Sequence, residues 1–308
     1  MPAESMADIE RRLSGTEDLH TVVKTMKSMA AVNIHHFQQA VESVERYYST
    51  IIKGLKVVLR DLPDLPERPA PTPPSSTPPV SGNKSKVGLI FYGSEQGMVG
   101  QFNEKVVEKG SEFLKTTHLR QGEYGILAMG QRISASLSGN YIPADEVIPI
   151  SGSLVDITPM VRSTLFVIDS WRQEEGITEI RLFYNKPRQG SAYLTVDLPL
   201  LPVDPEVLSA IRSGEWDSPS LPIYSVPREV LLSRLIREYL FVFLYRAFVE
   251  SLASENAARL ASMQAAENNI QERLDELHTT HNRLRQTAIT EELLDITAGF
   301  QALEGGGR

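Results

Sequence analysis

The sequence predicts a mixed α+β/α/β fold, a long antiparallel coiled coil of N- and C-terminal helices with a small Rossmann-like α/β domain inserted between them. Three observations predict it. Apolar residues toward both ends recur at alternating steps of three and four, the middle of the chain switches to short apolar runs closed by glycine, and proline-bearing stretches separate these regions.

Residues 1–62 are expected to form the first coiled-coil helix. No proline occurs between Pro2 and Pro63, and only Gly15 and Gly54 weaken the segment. Phe37, Val41, Val44, Tyr48, Ile51, Leu55, Val58 and Leu62 alternate steps of four and three, which keeps one stripe facing a partner helix. Residues 63–85 read as a linker, because prolines crowd 63–79 and each fixes φ while removing a backbone donor.

The α/β domain is placed at 86–202. Residues 87–92 and 124–129 are apolar runs stopped by Gly93 and Gly130, and both read as buried strands. Helical spacing is expected over 102–114, 131–137 and 154–171. Strands are expected at 179–184 and 191–198 with a turn over 187–190, in a partly parallel sheet with antiparallel edges. Residues 203–227 are expected as a second linker.

From 228 to 308 lie the second coiled-coil helix and a tail. Residues 228–300 contain no proline and no glycine before Gly299, room for roughly 110 Å of helix. Leu260, Met263, Glu267, Ile270, Leu274, Leu277, His281, Leu284 and Ala288 again alternate three and four. Two such seams separated by a compact domain pair most simply with each other, antiparallel.

The chain has 308 residues, a formal charge of −8 and no cysteine. A net anion argues against nucleic acid as the main partner. The lack of cysteine excludes disulfides, thiolate metal sites and thiol catalysis, and fits an intracellular setting. The N-terminus has no apolar stretch of a secretory signal, and the longest apolar run, 239–245, is far shorter than the roughly 20 residues that cross a bilayer. Any membrane association is therefore expected to be peripheral.

Each motif has a plain reading beside the functional one. Gly93, Gly97 and Gly100 follow a strand and precede a helix, where backbone donors hold phosphate in other folds. Their spacing matches neither dinucleotide fingerprint nor P-loop, so a close-packing turn is preferred. His35 with His36, and His278 with His281, lack the partners of a metal site, and no metal or other cofactor is expected. Lys24 and Lys27 on the first helix, and Arg283 with Arg285 on the last, are ordinary wet surface unless an anionic partner surrounds them. The apolar segment around Leu240, Phe241, Phe243, Leu244 and Tyr245 reads as core against the central domain and the first helix.

Five stretches carry a family resemblance. Residues 245–263 resemble the signature helix of F-type ATP synthase gamma subunits, as does Arg285-Gln286-Thr287-Ala288-Ile289-Thr290-Glu291-Glu292-Leu293. Ile9-Glu10-Arg11-Arg12-Leu13 and Val23-Lys24-Thr25-Met26-Lys27-Ser28-Met29-Ala30-Ala31-Val32 resemble the family's first helix, and Gly97-Met98-Val99-Gly100-Gln101-Phe102-Asn103 the motif after its first strand. The resemblance runs the length of the chain in the family's order, with departures at Met98, Val99 and Gln101 and in Gln264-Ala265-Ala266-Glu267-Asn268 that mark a divergent member.

The resemblance implies a central rotor shaft without a catalytic site of its own, coupling ion flow through a membrane ring to ATP synthesis or hydrolysis in an alpha/beta hexamer. It implies alpha, beta and epsilon subunits and the membrane rotor ring as partners, at the cytoplasmic face of an energy-transducing membrane. By the same resemblance Lys24, Lys27, Arg285, Gln286 and Thr290 contact the beta subunit, Leu293, Leu294, Ile296 and Phe300 form the bearing tip, and Met26 lies against residues 286–289. The alternatives are a non-rotary coiled-coil scaffold derived from this fold and a nucleotide-binding enzyme built on the central domain.

Overall fold

A computed structural model describes residues 5–60, 86–188, 191–216, 219–220 and 222–305, with the side chains of 191–192 and 299–305 left aside. The elements, in order, are α1 (Met6–Arg60), β1 (Lys86–Tyr92), α2 (Phe102–Thr117), β2 (Tyr124–Met129), α3 (Gln131–Gly139), β3 (Glu146–Ile148), α4 (Ile157–Glu174), β4 (Ile177–Arg188), β5 (Ser191–Leu201), α5 (Pro205–Ser213) and α6 (Arg228–Gly305). The expected linker 63–85, seam position Leu62 and turn residues 189–190 lie outside the described residues.

Two compact units form. One comprises Met1–Ala30 with Leu260–Arg308, the other Ala31–Arg259. This division differs from the expected boundaries, because it cuts both long helices rather than separating them from the sheet. The reason is local: from Phe37 and Tyr239 inward, helix side chains share one core with sheet residues such as Tyr92, Leu182 and Tyr184.

The larger unit is built on a five-stranded sheet in the order β3-β2-β1-β4-β5. β1 pairs parallel with β2 and with β4, β2 parallel with β3, and only the β4–β5 hairpin is antiparallel. One face, with Leu89, Phe91, Ile126 and Phe183, packs on Val106 and Val107 of α2 and Ile133 and Leu137 of α3. The other face, with Ile90, Tyr92, Leu127 and Leu182, packs on α4, α1 and α6. Burial on both faces is why β1 and β2 read as continuous apolar runs.

Two elements escape the sequence pattern. β3 has three residues, too few for a period, and two of them are exposed. α5 forms inside the segment expected as a linker, because Asp204 accepts the Glu206 backbone N–H at 2.9 Å and Pro205 sits at the first helical position. The apolar segment of α6 is core, as expected: Leu240, Val242, Leu244 and Phe248 are buried, and Tyr239 and Phe243 cluster with Tyr48 of α1.

The smaller unit is the antiparallel pairing of α1 with α6. Every seam position of α1 here, Met6, Ile9, Leu13, Thr16, His20, Val23, Lys27 and Ala30, is at least partly buried. On α6, Met263, Leu274 and Leu277 are buried, and Leu260, Glu267, Ile270, His281 and Leu284 are half-buried. Lys27 pairs with Glu267 at 2.5 Å and Glu10 with His281 at 3.6 Å, so the helices run in opposite directions. That alignment brings the start of α1 level with about Leu284, and Ala288, an expected seam position, is exposed.

Candidate functional site

The crevice beyond the C-terminal ends of β1 and β4 is where a doubly wound sheet usually holds a ligand. Here the chain's own groups fill it. The Ser94 backbone N–H donates to Asn103 Oδ1 at 2.9 Å, and Asn103 Nδ2 donates to Ser94 Oγ at 2.9 Å. The Glu95 carboxylate takes the backbone N–H groups of Gln131, at the start of α3, and of Ile150, both at 3.1 Å. A carboxylate therefore sits where a phosphate would sit at that helix end.

α6 closes the crevice. Phe248 lies against Tyr92, the last residue of β1, with ring centres 4.5 Å apart and the rings tilted by 31°. Ala258 packs on Val99 and Phe102, and Tyr184 of β4 donates to Glu250 Oε2 at 3.0 Å. Burial, with the Glu250 carboxylate beside it, pushes the Tyr184 phenol far above its ordinary range. Gly93 takes part in close packing, since a Cβ there would lie 2.3 Å from Ile133. Close packing thus holds at Gly93, whereas a Cβ at Gly97 would meet nothing nearer than Arg132 at 3.6 Å.

The histidines stand apart from one another's chemistry. His35 and His36 are exposed and His35 pairs with Gln39, while His281 faces Glu10. Among the described residues no group of three or more His, Asp or Glu side chains is arranged to hold a metal. Among them, too, no helix is long and apolar enough to cross a membrane.

The residues assigned by resemblance to partner contact fall into different settings. Lys24 is exposed. Lys27 turns inward, with its ammonium on Glu267, which also lies 4.0 Å from His20. The Lys27 hydrogen bond holds the Glu267 carboxyl below its usual range, against the opposing effect of burial. Arg285, Gln286 and Thr290 are exposed on α6, and the Thr290 hydroxyl donates to the Gln286 carbonyl at 2.8 Å. Leu293, Leu294 and Ile296 are each more than half exposed, and the Phe300 side chain lies outside the described residues.

One sequence expectation fails here. Met26 neighbours Lys27 and so lies level with Glu267, whereas Gln286 is 19 residues further along α6 (286 − 267), about 28 Å at 1.5 Å per residue. That expectation rests on the resemblance, whereas the pairs Lys27–Glu267 and Glu10–His281 fix the alignment seen here.

Sequence reasoning also missed an apolar stripe on the open side of α1. Leu19, Val22 and Met29 are each more than half exposed, and Ile289 on α6 is nearly half exposed. Their spacing of three and seven, out of phase with the seam, was the available signal.

Comparison with known proteins follows the same line. The family model described as ATP synthase matches residues 5–303. The ATP synthase gamma chain of Brevibacillus brevis is 26% identical over 305 residues, covering 97% of this chain and 99% of that one. That of Lachnoclostridium phytofermentans is 27% identical over 311 residues, with the same coverage. Among solved structures, the rotor of the Euglena gracilis mitochondrial ATP synthase matches with a TM-score of 0.58 at 14% identity, covering 92% of this chain and 98% of that one, a likeness of fold.

Proposed function

The chain belongs to the gamma subunits of F-type ATP synthases, the central-stalk subunits of a rotary ATPase complex, and from that premise we propose how its parts divide the work. The smaller unit is the shaft that enters a collar of alternating alpha and beta subunits. The larger unit carries the sheet, and together with the epsilon subunit it meets the membrane rotor ring on the cytoplasmic face. The chain itself supplies no catalytic group and no cofactor site.

One observation carries this reading. Leu293, Leu294 and Ile296 stand exposed on the part of α6 that continues past the start of α1, and Leu19, Val22 and Met29 line the open face of α1. Apolar side chains exposed in such a run mark a surface made for a partner. On the same surface Lys24, Arg285, Gln286 and Thr290 supply the polar contacts to beta subunits, whereas Lys27 is committed to its own shaft. The leucines and Ile296, with Phe300, act as the bearing.

The mechanism rests on asymmetry. A single two-helix rod inside a pseudo-threefold collar touches each of three beta subunits with a different face, so their nucleotide sites occupy different states. Turning the rod exchanges those states through differences in contact energy. Each ion crossing 100 mV releases only about 2.3 kcal/mol, so several crossings are pooled into one ATP by a rod that transmits torque.

Reconstitution tests the reading and separates it from a non-rotary scaffold. Alpha and beta subunits combined with this chain are expected to hydrolyse ATP at a rate that depends on the chain. The triple change Leu293→Ser, Leu294→Ser and Ile296→Ser should reduce that dependence. A rate that is the same with and without the chain would reject the shaft role.

A further inference from the structure

We infer that the junction of α6 with the end of β1 encloses a bound-water site between the Tyr92 and Ser251 hydroxyls, beside the Glu255–Arg259 ion pair. The Tyr92 hydroxyl, the Ser251 hydroxyl and Arg259 Nε are buried and have no hydrogen-bond partner among the described residues. Tyr92 and Ser251 are completely buried. Such groups cost free energy unless something pairs with them, and native interiors leave very few of them bare.

Ser251, Glu255 and Arg259 follow at steps of four, which puts them on one stripe of α6, with Arg259 about two turns beyond Ser251. Arg259 Nη2 donates to Glu255 Oε1 at 2.5 Å, fixing the middle of that stripe. Tyr92 reaches the same stripe from the sheet: its ring lies on Phe248, one turn before Ser251, and its phenol senses the Glu255 charge. The neighbouring polar side chains are occupied elsewhere. Ser254 donates to the Glu250 carbonyl, Asn256 to the Leu252 carbonyl, and Glu95 holds two backbone N–H groups.

Water fits this set. Two hydroxyls that both donate and accept, with the Glu255 carboxylate beside them, supply the two to four partners that a buried water requires. The Glu255–Arg259 pair balances its own charge and the nearby Glu95 carboxylate is held by two backbone N–H groups, so a neutral ligand meets the remaining need. In this way the crevice that other doubly wound sheets give to a cofactor is closed by the chain's own helix and sealed by water.

Tyr92→Phe is the telling variant, because a bare hydroxyl and a paired one respond with opposite sign. If the hydroxyl is paired through water, removing it lowers the Tm of the full chain by about 2 °C or more. Ser251→Ala should do the same, and the double variant should lose less than the sum. A high-resolution crystal structure of the full chain should show density within hydrogen-bond reach of both hydroxyls. A raised or unchanged Tm for Tyr92→Phe, empty density, or an anomalous peak when rubidium replaces sodium would each overturn the water site. None of these results depends on assembly with other subunits, so the site and the shaft role fail separately.

Discussion

Lys27 Nζ donates to Glu267 Oε2 across 2.5 Å, joining a seam position of α1 to a seam position of α6. The pair is 31% and 18% exposed, partly shielded from solvent, and its geometry defines which turn of one helix faces which turn of the other. A polar pair at such a position gives up some apolar contact and specifies alignment in return. Restoration identifies it: Lys27→Glu and Glu267→Lys should each lower the thermal stability of the chain, and the two together should recover most of the loss. A double variant no better than the worse single one would show that the pair does not set alignment.

The same pair sets a pH dependence. The hydrogen bond from Lys27 holds the Glu267 carboxyl below 4.5, its ordinary value, in the folded chain. Its contribution is therefore present in full above that value and is lost as pH falls through the depressed folded value. Glu267→Gln has nothing to lose in that window. Denaturation of both proteins from neutral to acidic pH should show a stability difference that is largest above pH 4.5 and closes in acid. A difference independent of pH would contradict the assignment.

Leu274 and Leu294 lie on the same helix in opposite circumstances, one buried in the seam and the other 63% exposed. Leu274→Ala should cost about 2–5 kcal/mol of folding stability in urea titrations. Leu294→Ala should leave the isolated chain unchanged within about 0.5 kcal/mol and weaken assembly with alpha and beta subunits. The reverse pattern would mean that the seam has been misplaced.

Two glycines in helices should respond with opposite sign. A Cβ at Gly110 would sit 2.1 Å from the Phe91 ring, so Gly110→Ala is expected to cost about 1–3 kcal/mol through overpacking. Gly15 has nothing within 4 Å of a Cβ, and Gly15→Ala should stabilise α1 by about 0.5–1 kcal/mol. Thermal melts of the two variants measure both effects.

Arg285 and Gln286 have a chemically matched control in Arg172 and Gln173, exposed on α4. Changing Arg285 and Gln286 to alanine should reduce assembly or ATP turnover in the reconstituted complex several-fold more than the same change at Arg172 and Gln173. Equal effects would remove the proposed beta-subunit contacts.

Much of this was legible in the sequence, and its limits were physical. The seam from Phe37 to Val58 announced itself because its members are apolar. Its continuation through Thr16, His20 and Lys27 did not, since burial there depends on a partner such as Glu267, which periodicity does not register. β1 and β2 were readable from two-sided burial, whereas β3 is too short to carry a period. α5 was hidden among prolines that look like linker, although Asp204 followed by Pro205 is a helix start. Arg285, Gln286, Leu293 and Leu294 were assigned through resemblance alone, and their exposure leaves them open to a partner. Met26 was misplaced because register comes from paired charges on two distant segments. Tyr92 and Ser251 gave no signal, as their meaning arises only when β1 meets α6.

Rotation is the claim on which the functional account stands, and it can be watched. The chain has no cysteine, so Lys115→Cys on the exposed face of α2 offers a single attachment point for a bead, with the collar of alpha and beta subunits fixed to glass. Added ATP should turn the bead steadily in one direction, pausing at three positions in each revolution. ATP hydrolysis that depends on the chain while the bead only jitters in place would contradict a rotor.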